Sequence, residues 1–281
     1  MKISKVKADN YINFSVLMSV YCKEKAEYFL EAVKSVLEQS IKPTEIVIVK
    51  DGKLTPSLEE TCARLLHDNP QCIRFVQLEK NVGLGMALQK GVLECKCDLI
   101  ARMDTDDISR WDRFEKQINE FAKNSNLALC GGVIEEFSVS PVKIECLRKV
   151  PLEKKSIYKY AKTRNPFNHM TVMFKKKAVL EVGNYQPFYL LEDYYLWYRL
   201  IKNGYDVQNL PDVLVTVRSN KKMITRRGGF AYLKSEVKLF REFYNDKYIS
   251  LMEFLSAICA RGIVRICPHE IRSIIYKFIL R

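Results

Sequence analysis

The 281-residue chain is long enough for one large domain or two small ones, and its 48% hydrophobic and 28% charged residues exclude an intrinsically disordered protein. Its net charge of +13 suits a partner such as nucleic acid, anionic lipid or a phosphate-bearing substrate, although a soluble enzyme with many solvated lysines would carry the same charge. No run of about 18 apolar residues predicts a membrane span, and nine cysteines without zinc or disulfide spacing, with no evident signal peptide, fit a reducing compartment.

Strands and helices alternate in the first half of the chain. Continuous apolar runs predict buried strands, and apolar residues at helical spacing, such as Phe29, Val33 and Val36, predict helices with one buried face. Crossovers of this length predict an open, mostly parallel α/β sheet with helices on both faces. The strands are predicted at 14–20, 45–49, 72–78 and 98–103, and the helices at 29–37, 58–66, 83–95 and 111–121.

The second half of the chain is less regular. Glycines predict helix ends at Gly183 and Gly204, and after about Arg226 the pattern becomes helical and basic. We therefore expect a catalytic domain over 1–225 and a basic amphipathic tail over 226–281. In chain order we predict a strand pair or hairpin at 127–137, a short strand at 171–174, helices at 175–185 and 191–205, and a strand at 212–218.

Three aspartates follow the fourth predicted strand. Asp104 and Asp106 are two residues apart, so an extended backbone would point both side chains to one side. Two carboxylates held together repel unless a cation lies between them, and Mg²⁺ or Mn²⁺ with open positions for a diphosphate is the simplest candidate. The alternative is that Asp107 or Ser109 caps the helix that begins near Trp111.

A further acid and a glycine turn are expected at the same edge of the sheet. Asp51 and Gly52 follow the strand that ends at Val49, and ligands of such sheets bind beyond the carboxyl ends of the strands. The segment KNVGLGMAL at 80–88 predicts a tight turn, but Leu88 stands where a dinucleotide-binding GxGxxG has its third glycine. A P-loop pattern is also absent from the sequence, so both classes of nucleotide enzyme are disfavoured.

Five segments carry a resemblance to one enzyme family: SVLMSVYCKEKAEYFLEAVKSVLEQSIKPTEIVIVKDG at 15–52, LEKNVGLGMALQKGV at 78–92, LIARMDTDDIS at 99–109, NHMTVMF at 168–174 and LEDYYLWYRLIKNGY at 191–205. The chain resembles the family 2 glycosyltransferases of the GT-A fold, in particular the small bacterial enzymes that build O-antigen or capsule repeat units. The resemblance implies inverting transfer of a hexose from a UDP-sugar, a Mn²⁺ or Mg²⁺ cofactor, and a lipid-pyrophosphate-linked sugar as acceptor.

The resemblance implies a role for residues around the DTD segment at 104–106. Asp106 would bind the metal, and Asp104 would contact the ribose or help to hold the metal. Asp51 would pair with the N3–H group of uracil, which makes UDP the expected carrier. Tyr21 would pack against the base, and Arg102 would reach a phosphate or the sugar.

The glycine turn is assigned to the same nucleotide-sugar site through Lys80, Asn81 and Gly83. The chain departs from the family pattern nearby, because the first strand runs into SVYCKE instead of a PTYN pattern. Lys50 also replaces the first acid of the usual DDGS. These departures concern the base-binding end of the site.

The segment EDYYLW matches the ED motif of the family and supplies the general base. We expect Asp193 to accept the proton of the acceptor hydroxyl, and Glu192 to orient Asp193 or to bind a sugar. The dipole at the start of a helix favours a carboxylate there and is expected to lower its basicity slightly. The alternative is that these acids only cap the helix.

Three further residues complete the predicted site. His169, in NHMTV, would contact the metal, the donor or the acceptor, although a lone histidine is more often structural. Arg226 and Arg227, before Gly228, would form a clamp on the diphosphate, since guanidinium suits phosphate. The alternative for this pair is a solvated basic loop.

The C-terminal region from Tyr248 to Arg281 interleaves apolar and basic residues. Basic amphipathic helices lie in membrane interfaces, so we expect the tail to dock the enzyme on the inner face of the cytoplasmic membrane. The alternatives are that the tail packs on the catalytic domain or forms a contact between copies of the chain.

Two rival functions and one loss of function stay open from the sequence. A sugar-nucleotide nucleotidyltransferase should carry a glycine- and arginine-rich loop after the first strand, and SVYCKEKAEYF has none. A non-enzymatic nucleic-acid binder would explain the charge but not the acids at 51, 104, 106 and 193, so we expect no nucleic-acid partner. A homologue that has lost activity can be recognised only by assay.

Overall fold

The computed structural model describes residues 12–219 and 229–266, and one mixed sheet runs through this part of the chain. Its strands are β1 Phe14–Val20, β2 Glu45–Lys50, β3 Ile73–Gln77, β4 Leu99–Arg102, β5 Ile108–Ser109, β6 Leu127–Phe137, β7 Cys146–Arg148, β8 Met173–Lys175 and β9 Asp206–Arg218. The strand order is β3-β2-β1-β4-β8-β6-β9-β5, with β7 paired to β6.

Helices cover both faces of the sheet, as the sequence predicts. Thr55 begins one of them with a cap, because its hydroxyl accepts from the backbone N–H of Leu58 and Pro56 occupies the first turn. The helices are α1 Ala26–Leu37, α2 Pro56–Asp68, α3 Leu84–Glu94, α4 Arg113–Lys123, α5 Lys154–Tyr160, α6 Lys176–Glu181, α7 Glu192–Lys202, α8 Phe230–Asn245 and α9 Leu251–Ile266, with a 3-10 turn at His169–Thr171.

Side chains of β1 alternate between two hydrophobic cores, one on each face of the sheet. Val16 and Met18 pack with the core that α1 and α2 cover, whereas Leu17 packs on the opposite face against α3. Burying each of these side chains contributes about 1.5–3 kcal/mol relative to leaving it exposed. The strands β1, β2, β3 and β4 pair in parallel, which confirms the parallel sheet predicted for the first half.

The predicted strand pair or hairpin at 127–137 is wrong, because these residues form the single strand β6. It pairs with β8 antiparallel and with β9 parallel, and β9 begins at Asp206 rather than at residue 212. A Cβ on Gly131 would lie 2.4 Å from Oδ1 of Asn209, and one on Gly132 would lie 2.5 Å from Cδ1 of Leu214. The glycine pair therefore permits close contact inside a strand and does not make a turn.

The helices α8 and α9 pack on the outer side of α7 through an aromatic cluster. The rings of Tyr198 and Phe243 have centroids 4.1 Å apart, and Tyr248 contacts both rings at 5.1 and 5.5 Å. Glu236 of α8 accepts from Arg265 at 2.7 Å and lies 3.3 Å from Arg261. The part of the basic tail that the structure describes thus packs on the catalytic domain.

No helix within residues 12–219 and 229–266 is long and apolar enough to cross a membrane.

Candidate active site

The carboxyl ends of the parallel strands bring two predicted loops together. The backbone N–H of Asp51, after β2, donates to the carbonyl of Val20, and that of Met103, after β4, donates to the carbonyl of Leu17. The hydroxyl of Thr105, inside the DTD segment, donates to the carbonyl of Ser19 at 3.2 Å. The prediction that the loops after β2 and β4 share one edge of the sheet is therefore confirmed.

Asp51 holds the glycine turn in place. One carboxylate oxygen accepts from the N–H of Val82 at 2.7 Å, and the other accepts from the N–H of Gly83 and from Nδ2 of Asn81, both at 3.0 Å. The side chain is buried, and Gly52 beside it has a φ of 84°, where a Cβ would lie 2.6 Å from the backbone N of Asn81. Both oxygens of Asp51 are thus already used, and its contact with uracil stays a prediction.

Several other residues that are predicted to contact the donor lie at the same edge of the sheet, and their contacts also stay predictions. Tyr21 follows β1 directly and is partly exposed, and its carbonyl accepts from the N–H of Glu24. Lys80 and Asn81 are exposed at the start of the glycine turn. Arg226 and Arg227 lie outside the described residues.

The carboxylates of Asp104, Asp106 and Asp107 lie close enough to repel one another. Burial, and then the charge of Asp104, raises the pKa of Asp106 to about 6. Burial, and then the charges of Asp106 and Asp104, raises the pKa of Asp107 well above its usual value. Strand β4 ends at Arg102, so the extended backbone on which the side-by-side placement of Asp104 and Asp106 depended does not continue to them.

Asp104 and Asp106 fit a hard divalent cation. The side chain of Asp104 is 27% exposed and thus accessible from solvent, and a cation would offset the repulsion that raises the pKa of Asp106. Among the described residues, no three His, Cys, Asp or Glu side chains converge on one point that could hold a metal ion. A Mg²⁺ or Mn²⁺ ion bound here would take its remaining ligands from substrate oxygens and water, as such ions commonly do.

The capping alternative for these residues is wrong. The helix α4 begins at Arg113, its cap residue Asp112 makes no side-chain cap, and the N–H of Phe114 donates to the side chain of Gln39 rather than to Asp107 or Ser109. Asp107 instead accepts from the backbone N–H of Arg218 at 2.9 Å, and the N–H of Ser109 donates to the hydroxyl of Ser35 at 3.0 Å. These contacts fasten the acidic loop to β9 and α1.

Two arginines that sequence reasoning missed support the acidic loop. Arg218 donates through Nε to the carbonyl of Asp106 at 3.3 Å and through Nη2 to Glu31 at 2.6 Å. Arg113 is fully buried and donates to the carbonyl of Arg102 at 2.7 Å, and burial, followed by the charge of Arg102, lowers its pKa to about 9. Neither residue has a local motif, because its partners come from distant parts of the chain.

Arg102 lies beneath the site rather than at its surface. It is 1% exposed, its guanidinium forms an ion pair with Asp104, and its Nε has no hydrogen-bond partner in the described part of the chain. A buried guanidinium with a free donor beside an acidic loop is suited to an anionic ligand. Its predicted contact with a phosphate or the sugar stays a prediction.

The two acids of the ED segment lie at the start of α7. Asp193 accepts from Nδ2 of Asn165 at 2.7 Å and from the N–H of Tyr194 at 2.7 Å. Burial, and then the charge of Asp193, raises the pKa of Glu192 to about 7. The expected lowering of basicity by the helix dipole is therefore wrong for Glu192, because desolvation and a like charge outweigh it.

The start of α7 meets the glycine turn directly. Leu191 occupies the cap position of α7 and makes no side-chain cap, and the ED acids lie in the first turn, where Asp193 accepts from the N–H of Tyr194. A Cβ on Gly85 would lie 3.0 Å from Cβ of Glu192. The charges of Arg102 and Asp104 also act on Glu192. The start of α7 thus lies close to the glycine turn and within electrostatic range of the DTD loop.

His169 lies on the 3-10 turn behind this site. Its Nε2 is 2.9 Å from the hydroxyl of Tyr185, and its ring centroid is 5.9 Å from that of Trp197. Burial, and then the charge of Arg102, lowers the pKa of His169 well below its usual value, so the ring is neutral. These contacts give His169 a structural role, and its contact with metal, donor or acceptor stays a prediction.

Comparison with known proteins gives a consistent result. Residues 15–182 match the profile of the family Glycosyl transferase family 2. The chain is 39% identical over 277 residues to the UDP-Gal:alpha-D-GlcNAc-diphosphoundecaprenol beta-1,3-galactosyltransferase of Escherichia coli. The aligned region covers 98% of each chain. It is 39% identical over 264 residues to the amylovoran biosynthesis glycosyltransferase AmsE of Erwinia amylovora, covering 94% of this chain and 98% of that one.

A solved structure has the same GT-A fold. The mannosyltransferase PcManGT of Pyrobaculum calidifontis, in complex with GDP-Man and Mn²⁺, superposes with a TM-score of 0.59. The match covers 95% of this chain and 81% of that one at 14% sequence identity, so it establishes the fold alone.

Proposed function

This chain belongs to glycosyl transferase family 2, and we propose that it moves a hexose from a UDP-sugar, with inversion, to a saccharide that a diphosphate links to a lipid. It is a glycosyltransferase of polysaccharide synthesis, which sets aside the nucleotidyltransferase and the nucleic-acid binder. The observation that carries the finer proposal is that Glu192 packs close to Gly85 of the glycine turn and is acted on by the charge of Asp104.

The donor binds along the carboxyl edge of β1, β2 and β4. Asp51 fixes the turn at 81–83, whose backbone lines this edge. Asp104 and Asp106 would hold Mn²⁺ or Mg²⁺, which would supply Lewis-acid neutralisation of charge on the diphosphate. Arg102 beneath them keeps Asp104 in place through their ion pair.

The base is Asp193. It removes the proton of the acceptor hydroxyl while that oxygen attacks the anomeric carbon, and the bond from this carbon to the diphosphate breaks with its electron pair leaving on UDP. Attack from the side opposite the diphosphate inverts the configuration. Asn165 fixes the Asp193 carboxylate at 2.7 Å, and Glu192, with its raised pKa, is placed to hydrogen-bond a sugar hydroxyl.

The acceptor class follows from the E. coli relative, whose name specifies GlcNAc on diphosphoundecaprenol. Such a substrate lies in a membrane, so we place the enzyme at the inner membrane surface. The helix α9 supports this placement because one of its faces exposes Met252, Leu255 and Ile263 to solvent. An apolar helix face of this kind can enter the interface of a bilayer.

The function is tested with the full-length chain, Mn²⁺, a panel of UDP-sugars and a synthetic GlcNAc-diphosphate-lipid acceptor. We expect one UDP-hexose to be transferred with inverted anomeric configuration. Removing a general base costs about 10²- to 10⁴-fold, so Asp193→Asn should lower kcat by that factor while UDP still binds. Asp106→Ala should abolish Mn²⁺-dependent UDP binding. Absence of transfer from every UDP-sugar by a chain that binds UDP would contradict the proposal.

A further inference from the structure

A groove of about 510 Å³ lies between the segment 187–189 and the first three turns of α8. It is separate from the donor edge of the sheet, since none of the DTD, glycine-turn or ED residues lines it. Phe188 and Tyr189 form one side, and Tyr189 is 62% exposed. An open cavity with aromatic walls is suited to an apolar chain.

Three cations line the other side of this groove. Lys234, Lys238 and Arg241 follow at intervals of four and three residues, so they lie on one face of α8. All three are exposed, and Nζ of Lys238 lies 4.6 Å from the centroid of the Phe188 ring. Within the described chain, no acid lines the groove and no carboxylate forms an ion pair with these cations. The groove thus combines uncompensated positive charge with apolar surface.

The groove is joined directly to the helix that carries the candidate base. Ser235 of α8 donates through its hydroxyl to the carbonyl of Tyr189 at 2.7 Å. The ring of Phe188 lies 4.5 Å from that of Tyr195 in α7. Only three residues separate Phe188 from Glu192, where α7 begins. A ligand in the groove is therefore held in a fixed relation to the ED pair.

We propose that this groove binds the diphosphate of the acceptor and the first part of its lipid chain. Lys234, Lys238 and Arg241 contact the phosphates, because ammonium and guanidinium groups are the usual partners of phosphate oxygens. The exposed ring of Tyr189 contacts the lipid, and Phe188, which is only 6% exposed, forms the floor beneath it. The inference rests on the proposed function for the identity of the ligand, but it concerns a surface that the donor does not use.

Binding is measured first with farnesyl diphosphate as the probe, in the presence of saturating UDP and Mn²⁺ so that the donor site is filled. The wild-type chain should bind farnesyl diphosphate more tightly than farnesol or inorganic pyrophosphate. The triple variant Lys234→Gln, Lys238→Gln, Arg241→Gln should bind it about tenfold or more weakly, since each cation near a lipid anion contributes severalfold to affinity.

The matched control removes the same charges elsewhere. Arg64, Lys96 and Lys143 are exposed and lie outside the groove. The triple variant that replaces all three with Gln should therefore bind farnesyl diphosphate as the wild type does. Equal loss in both triple variants would mean that only net charge matters and would overturn the proposal. Equal binding of the probe by the wild type and the groove variant would overturn it as well.

Transfer assays separate failure of this inference from failure of the proposed function. The groove variant should show a raised KM for a GlcNAc-diphosphate-lipid acceptor and an unchanged KM for an uncharged alkyl glycoside of GlcNAc. An equal rise for both acceptors would reject the groove as a diphosphate site. If the wild-type chain transfers to neither acceptor, the proposed function fails, and the farnesyl diphosphate measurements still decide whether the groove binds a lipid diphosphate.

Discussion

Glu192 is the residue whose chemistry depends most on its tertiary surroundings. Its position at the start of a helix favours the charged carboxylate, yet burial and the charge of Asp193 raise its pKa to about 7. An acid with this pKa is partly protonated near neutral pH and can donate as well as accept a hydrogen bond. This suits a residue that contacts a sugar hydroxyl beside the base, which itself must stay deprotonated.

The raised pKa predicts a pH-dependent cost to stability. The folded chain binds the Glu192 proton more tightly than the unfolded chain, whose pKa is about 4.5. The contribution of Glu192 to stability therefore falls as the pH rises from about 4.5 to about 7, and Glu192→Gln removes this loss, which is on the order of 3 kcal/mol. Urea unfolding without metal should show the advantage of the variant growing across this window and staying constant above it.

The control for this experiment is Glu79→Gln, because Glu79 is exposed on the loop after β3. Its unfolding free energy should follow the wild-type curve at every pH. A Glu192→Gln curve parallel to that of the wild type would show that Glu192 has no raised pKa in the folded chain.

Helix α3 depends on a glycine at its contact with the sheet. A Cβ on Gly91 would lie 2.3 Å from Cδ1 of Leu17 and 3.0 Å from Cγ2 of Val49. Glycine costs a helix about 1 kcal/mol relative to alanine, so its presence here reflects the close approach of α3 to β1 and β2. This contact fixes the helix that directly follows the glycine turn of the donor edge.

We expect Gly91→Ala to destabilise the chain by about 1–3 kcal/mol, because overpacking the interface outweighs the gain in helix propensity. Gly262→Ala is the matched control in α9, since a Cβ there meets nothing within 4 Å. That variant should be unchanged or more stable by up to about 1 kcal/mol. Thermal or denaturant unfolding measures both, and equal stability of the two variants would contradict the close packing of α3.

At the scale of the whole molecule, helix α9 presents two different surfaces. Phe254, Ile258 and Ala257 of α9 face the aromatic cluster on α7 and α8. Met252 and Ile263 on its other side are 73% and 67% exposed. The apolar residues of α9, which lies in the tail predicted to dock on the membrane, are therefore divided between the protein core and the solvent.

The exposed face predicts binding to lipid. A triple variant should reduce flotation of the full-length chain with anionic liposomes by about tenfold or more; it carries Met252→Glu, Leu255→Glu and Ile263→Glu. Each apolar side chain that enters the bilayer contributes about 1.5–3 kcal/mol to binding.

The control for this experiment is Leu66→Glu, Leu93→Glu, Val139→Glu, which changes exposed apolar residues elsewhere and should leave flotation close to that of the wild type. Equal flotation of the wild type and the α9 variant, with a change in oligomeric state, would assign the face to a contact between copies of the chain.

The sequence by itself determined the parallel half of the sheet and the acids at its edge. Apolar runs and helical spacing depend on local periodicity, which is why β1 to β4 and their helices were predicted closely. Asp104, Asp106, Glu192 and Asp193 were recognised because each pair lies within three consecutive residues and matches a family motif. Resemblance to that family was confirmed by comparison.

Only the tertiary structure decided how these acids are held and charged. Asn165 contacts Asp193 across 28 residues, and Arg218 contacts Asp106 across 112, so no local pattern could reveal either pair. The pKa of Glu192 and the inward turn of Arg261 and Arg265 toward Glu236 likewise depend on burial and neighbours. Local periodicity fixes which faces are apolar, whereas desolvation and long-range contacts arise only when those faces are packed together.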